Sequence, residues 1–275
     1  MVNYIIEQFK TSKIFKYTVL LFALFTVWWL SIYIRGMVEG VENDYFTISY
    51  CVFALIGGIT GWSYAKKWGG WKSTLGKAIT LLTLGLLCQF LGQISYNFYI
   101  YGLGIEIPYP SIGDIIFLGS VFFYIYGSYV LTKVAGVSFG INTLSSKIIA
   151  FLIPLGILII SYVVFFNGYH PDWYNLVIVF LDLGYPIGQA IFVSITILAL
   201  LFSKDILGGM MKRPIFLLLF ALLLQYIADF SFSYQVSRET WHVGGTNDFL
   251  YALSYFLMTI ALLSIGNMFY KVQES

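Results

Sequence analysis

The chain has 275 residues, of which 59% are hydrophobic and only 10% charged, with a net charge of +2. A soluble domain carries about 25% charged residues and could not hide this much apolar surface in one core, so a soluble globular protein is excluded and an all-α polytopic membrane protein, with the lipid bilayer as its first partner, is expected. The bases are scattered over many connections rather than gathered in a patch or stripe, which argues against nucleic acid as a partner.

Apolar runs appear at roughly 17–34, 45–65, 78–101, 112–132, 148–166, 174–203, 214–234 and 248–270. Each approaches or exceeds the ~20 residues that carry a helix across ~30 Å of hydrocarbon. The ten-residue alternating strands of a β-barrel are not seen. The first run follows Lys10, Lys13 and Lys16 as a signal peptide would, but it contains Trp28-Trp29 and lacks a small-x-small cleavage pattern, so it reads as a retained span. Cys51 and Cys88 both fall inside apolar runs and read as small packing residues rather than a disulfide.

With the N-terminus cytoplasmic, that side receives 13 of the 15 bases, and only Arg35 and Arg238 fall on the other. This bias predicts a multi-pass protein of the cell membrane with eight spans and both termini inside.

The third span carries LCQFLGQISYNFYIY, residues 87–101, with Gln89 and Gln93 one helical turn apart on one face. The fourth opens on PYPSIGDIIFLGS, where Pro108 and Pro110 precede Ser111 and Asp114. Proline is tolerated just before a helix, and a serine or aspartate at its start can accept from free N–H groups. Capping accounts for most of this signal. A binding role for Asp114 stays open, because an outer helix start also suits an anion.

The sixth span carries LDLGYPIGQA, residues 181–190, with Asp182, Tyr185, Pro186 and Gln189. Pro186 cannot donate to the carbonyl four residues back and should bend the helix. The seventh carries LLQYIADFSFSYQVS, residues 223–237, with Gln225 and Asp229 on one face. A charge near the bilayer centre costs about 2.5–3.5 kcal/mol, so Asp182 and Asp229 should face the bundle interior or a wet cavity. Interhelical hydrogen bonding to Gln, Ser or Tyr would account for them equally well. The eighth span opens on GGTNDFLYALS, with Asp248 placed like Asp114.

Several of these segments repeat. Residues 87–101 align with 223–237, pairing Gln89 with Gln225, Gln93 with Asp229 and Ser95 with Ser231. SIGDIIFLGSVFFYI aligns with TNDFLYALSYFLM, pairing Asp114 with Asp248 and Ser120 with Ser254, and SKIFKYTVLLFAL (12–24) aligns with SKIIAFLIPLGIL (146–158). The offset is 134 to 136 residues throughout. Because four spans separate equivalent points, the expected architecture is one membrane domain, 1–275, built of two parallel four-helix repeats, about 12–134 and 146–270. The inverted repeats frequent in secondary transporters are not expected. The two glutamine-bearing faces should meet at the centre of the bundle.

Tyrosines at membrane interfaces form the usual aromatic belt. Tyr96, Tyr99, Tyr101, Tyr124, Tyr126 and Tyr129 fit that belt, and could also line the pocket of a flat ligand. Other chemistries find no residues. No lysine lies in mid-membrane to form a retinal Schiff base, and the two histidines, His170 and His242, fall in outer connections where no in-membrane haem could use them. Those histidines with Asp172 or Glu239 show no metal-ligand spacing. There is no Walker loop, nucleophile elbow or cysteine cluster.

The PS-x-GD of residues 110–114, the YPIGQ of 185–189 and the AD of 228–229, set among the repeats, resemble the eight-span membrane module at the N-terminus of many bacterial diguanylate cyclases, phosphodiesterases and sensor histidine kinases. The resemblance covers nearly the whole chain and implies a prokaryotic sensor in signal transduction. Gln93 and Gln189 stand where that pattern usually has aspartates, and no output domain follows KVQES, so signalling would pass through a separate partner protein. A weaker likeness runs to the eight-span lysoplasmalogenases, with Gln93 replacing one of their acids and their histidine absent. The leading expectation is therefore a non-enzymatic receptor that binds a small ligand, lipophilic ones included, in a central polar cavity. The candidate residues are Asp182, Gln189, Gln225, Asp229, Gln93, Gln89, Tyr185, Asp114 and Asp248. An intramembrane lipid hydrolase using Asp229 and Asp182, or a small-solute carrier, are the alternatives. No cofactor is identified.

Overall fold

The computed structural model describes residues 8–9, 12–136, 144–166, 173–202 and 211–274, and every regular element among them is helical. His170, Asp172, Lys10 and Lys204 lie outside the described residues. Among the described residues eight helices are long and apolar enough to cross a membrane: Lys13–Ile34, Val41–Lys67, Thr74–Gly102, Ile112–Val134, Leu144–Phe165, Leu176–Phe202, Lys212–Val236 and Thr246–Tyr270. They are called spans one to eight below, and the protein is a multi-pass helical membrane protein.

The span starts follow from local chemistry. Ser12, Ser73 and Ser111 cap spans one, three and four, each hydroxyl accepting from the backbone N–H three residues on. Lys66 and Lys67 lie in the last turn of span two and Lys133 in that of span four, where a cation suits the negative helix end. Gly69, with φ +92°, takes the left-handed turn between spans two and three that a side chain would strain.

Two spans depart from the regular helices their apolar runs predict. Span two is interrupted at Tyr50-Cys51, between the helices Val41–Ser49 and Val52–Lys67. Span three ends in a π-turn at Phe98–Gly102. Such irregular turns aim side chains that a regular helix would point elsewhere, and Tyr50 and Tyr101 reappear below.

Spans three and four pack along their lengths, as do spans seven and eight. Span two packs on spans three and eight, and span six on spans seven and four. Spans one and five lie at the periphery, against eight and six respectively. Their exposed Leu24, Val27, Phe151 and Ile159 suit a lipid-facing surface. The core between the inner spans holds Phe53, Leu82, Leu86, Tyr124, Phe192 and Met258.

Lipid tails are as apolar as leucine, so helix association here needs close packing and interhelical hydrogen bonds. Small residues supply the first. A Cβ on Gly85 would lie 2.3 Å from the Tyr124 ring, and one on Gly57 2.3 Å from the Thr259 hydroxyl. Polar side chains supply the second. Thr259 donates to the Phe53 carbonyl at 2.7 Å, Trp68 Nε1 to the Ile265 carbonyl at 3.2 Å, and Trp29 Nε1 to the Gly245 carbonyl at 3.2 Å. Each such bond contributes about 0.6 kcal/mol on average in a membrane helix bundle.

Candidate functional site

A cavity of about 520 Å³ opens between the inner spans, on the face that carries the connections between spans three and four and between spans seven and eight. Its volume falls inside the range of roughly 300–1,000 Å³ typical of small-molecule sites. Eight of the nine candidate residues line it: Asp114, Asp182, Asp229 and Asp248, the amides Gln89, Gln93 and Gln189, and Tyr185. The ninth, Gln225, stands behind Asp229 and donates to its Oδ1 at 3.0 Å. The cavity is wider than the cleft between spans three, six and seven that the deep acids suggest, since spans two, four and eight also wall it.

The span entrances are built first. Ser111 and Asp114 form a capping box: Ser111 donates its backbone N–H and its hydroxyl to Asp114 Oδ2, both at 2.7 Å, and its Oγ accepts from the Asp114 N–H. Asp114 Oδ1 also accepts from the Tyr96 hydroxyl, and the Asp114 carbonyl from the Tyr185 hydroxyl at 2.5 Å. A Cβ on Gly113 would lie 2.6 Å from the Tyr96 ring, so this glycine is what admits Tyr96 to Asp114.

At the start of span eight, Asp248 Oδ2 accepts from the Thr47 hydroxyl at 2.5 Å and from the Gly244 N–H at 2.8 Å. Asn43 reaches across from span two to donate to the Val243 carbonyl at 3.0 Å. Asp114 thus caps its own helix, whereas Asp248 also fastens span eight to span two.

Deeper in, Gln89 donates to Ser120 Oγ at 2.8 Å and accepts from the Tyr255 hydroxyl at 2.8 Å. Gln93 accepts from the Tyr50 hydroxyl at 2.8 Å and donates to Asn97 Oδ1 at 3.2 Å. Gln225 accepts from the Ser254 hydroxyl at 3.0 Å, and Asp229 Oδ1 accepts from the Tyr251 hydroxyl at 2.9 Å. Pairing of this kind is what buried amides and acids in lipid require. On the opposite half, Asp182 accepts from the Tyr109 hydroxyl. Pro186 has no N–H to give the Asp182 carbonyl four residues back, which leaves polar backbone beside the cavity.

Gln189 differs from the other amides. It is 4% exposed and lines the cavity, yet its carboxamide makes no hydrogen bond among the described residues.

The aromatic side chains divide. Tyr96 and Tyr101 line the cavity. Tyr124 is fully buried in the core, and Tyr126 lies against a separate recess of about 200 Å³ on the lysine-bearing face with Lys72, Lys77 and Lys133. Tyr129 stacks on Tyr126, away from the cavity, and Tyr99 is not among the lining residues. Sequence reasoning missed Thr47, Tyr50, Tyr109, Tyr251 and Tyr255, all of which line the cavity. Tyr251 and Tyr255 do carry a signal, since they share one helix face.

Tyr50, Tyr251 and Tyr255 form a cluster with ring centroids 6.4, 6.1 and 5.9 Å apart and rings within 28° of parallel. Phe232 abuts Tyr251 at 6.4 Å and meets Trp241 edge-on at 5.8 Å. Among the described residues no lysine, arginine or histidine lines the cavity. Among the described residues no group of three or more His, Cys, Asp or Glu side chains could hold a metal ion.

No protein family, curated protein or solved structure matches this chain. The class that the fold and the cavity define is a multi-pass helical membrane protein with a largely apolar, aromatic-walled chamber that carries four carboxylates among its described residues and opens on one face.

Proposed function

We propose that the protein is a membrane receptor or sensor module of the prokaryotic cell membrane, which holds a small ligand in the central chamber and signals through a separate partner protein. One observation carries this reading. Acids and amides that are costly to bury converge from five spans on an open chamber, and one of them, Gln189, has no hydrogen-bond partner among the described residues. Gln89, Gln93 and Gln225 pair within the protein and Asn247 stays unpaired in the packed core, whereas the unpaired Gln189 faces open space in the chamber. Asp182 and Asp229, the acids that a lipid hydrolase would use, accept hydrogen bonds from Tyr109 and Tyr251 on the chamber wall, and among the described residues no histidine lines it, which favours binding over hydrolysis.

The two halves read as a parallel duplication. Gln89 bonds Ser120 between spans three and four, and Gln225 bonds Ser254 at the equivalent place between spans seven and eight. Span two lies against span eight as span six lies against span four. The chamber then sits on the pseudo-two-fold axis, where each half contributes a wall.

Native mass spectrometry of the protein released directly from membranes tests the receptor reading. A co-purified molecule that is lost in Gln189→Leu is the expected result. Spectra of the apoprotein alone from native membranes would oppose it.

The orientation proposed has both termini and the lysine-bearing connections in the cytoplasm, so that the chamber opens outward. Glu106 and Lys72 are both exposed, on opposite faces. In intact cells an impermeant maleimide should label Glu106→Cys, and should label Lys72→Cys only after permeabilisation. The reverse pattern would invert the orientation.

A further inference from the structure

We infer that the chamber takes a cationic ligand: an amine or quaternary ammonium group carried on an apolar body. The inference rests on the receptor reading and names the chemical class of ligand for that same chamber.

Charge is the first ground. Among the described residues four carboxylates line the chamber, and no lysine, arginine or histidine does. The donors to Asp114, Asp229 and Asp248 are neutral: serine, threonine and tyrosine hydroxyls, the Gln225 amide and backbone N–H groups. These bonds orient the carboxylates without cancelling their charge, and His242, on the connection before span eight, is a base close enough to act on Asp248 alone among these three. A neutral body filling the chamber would strip water from the acids and return nothing, and an anion would add like charge at short range. A cation replaces the lost water with an opposite charge, the condition under which buried charge is tolerated.

The walls are the second ground. Tyr50, Tyr251, Tyr255, Phe232 and Trp241 build one continuous aromatic surface, contributed by spans two, seven and eight and the connection between the last two. Aromatic faces attract ammonium groups, and aromatic walls with a nearby carboxylate recognise quaternary ammonium. The same rings offer contact area to an apolar body. The 520 Å³ volume suits a molecule of drug-like size rather than a bare metal ion or a proton.

The third ground is Gln189. Its unpartnered carboxamide lies on the span that also carries Asp182, and its oxygen can accept from an ammonium N–H. Asp182 is half-buried and lies towards the mouth with Tyr109, where an incoming cation would meet a carboxylate first. Asp229 is the deep counter-charge.

The test uses the full chain in nanodiscs and three probes of similar shape: benzyltrimethylammonium, its neutral isostere neopentylbenzene, and the anion phenylacetate. Equilibrium dialysis against protein-bearing and empty discs separates binding from partition into lipid. The expected result is retention of the ammonium probe roughly tenfold above either of the others. That retention should fall about tenfold in Asp182→Asn and in Asp229→Asn. Asp182→Asn removes a charge from a half-buried site, so it keeps the test valid if the deeper variant does not fold. Equal retention of the neutral or anionic probe would overturn the cationic class while leaving the receptor reading to its own mass-spectrometric test. Ammonium retention unchanged in both variants, or no retention of any probe, would also overturn it.

Discussion

A Gly85→Leu variant should separate spans three and four and lower the stability of the folded protein by about 3 kcal/mol or more, the upper end of overpacking costs. Gly85 faces Tyr124, whose side chain is fully buried among Leu82, Leu86 and Phe192. A Cβ at residue 85 would lie 2.3 Å from one ring carbon of Tyr124 and 2.7 Å from another, and leucine adds three further carbons in the same direction. The ring cannot swing aside, because Phe192 meets it with centroids 5.9 Å apart. The helices must part, and the bonds that depend on their register, Gln89 to Ser120 and Tyr96 to Asp114, are strained with them. Gly156 on span five has open space around it, so Gly156→Leu should unfold like the wild type. Equilibrium unfolding in mixed micelles checks the pair, and equal stabilities for both variants would refute this packing.

Two substitutions of Asp229 should part company. Asp229→Asn keeps a carbonyl oxygen where Gln225 and Tyr251 now donate, at 3.0 and 2.9 Å, and so should stay within about 1 kcal/mol of the wild type while losing binding of the cationic probe. Asp229→Leu leaves both donors without an acceptor in a buried place. An orphaned buried donor costs about 1–3 kcal/mol, which puts the leucine variant roughly 2–4 kcal/mol below the asparagine variant. Adding Gln225→Leu removes one orphan and should recover part of that difference, a coupling that a double-mutant cycle reads directly. It will not recover all of it, since the Tyr251 hydroxyl still lacks its acceptor, whereas Ser254, released by Gln225, keeps the Ala221 carbonyl. If the leucine and asparagine variants unfold alike, Asp229 is not the acceptor at the centre of this network.

The helices, and the acids and glutamines that line the chamber, are legible in the sequence for physical reasons. Each span must be apolar over ~20 residues, and a polar residue in such a run is expensive enough to stand out. That is how Asp182, Asp229 and the four glutamines declare themselves. Ser111 and Asp114 form the capping box their spacing suggests.

What stayed hidden is the part played by common residues. Tyrosine is abundant here, with 22 in the chain, and an interfacial tyrosine looks in sequence like one that donates to a buried acid. Tyr109, Tyr251 and Tyr255 are told from Tyr99 and Tyr129 only by their partners in space. The helix break at Tyr50-Cys51 has no glycine or proline to announce it. Thr47 is one turn above that break, and only the approach of span eight turns it into the ligand of Asp248.

The central claim is that the chamber is a ligand site rather than a polar seam left by packing. A cryo-electron-microscopy map of the protein kept in its native lipid, at a resolution that shows side chains, tests it most directly. The predicted result is compact non-protein density within hydrogen-bonding distance of the Gln189 carboxamide, lying between Asp182 and the Tyr50–Tyr251–Tyr255 cluster. A chamber closed by inward movement of span six, with Gln189 bonded to a protein side chain and no density between the walls, would contradict it.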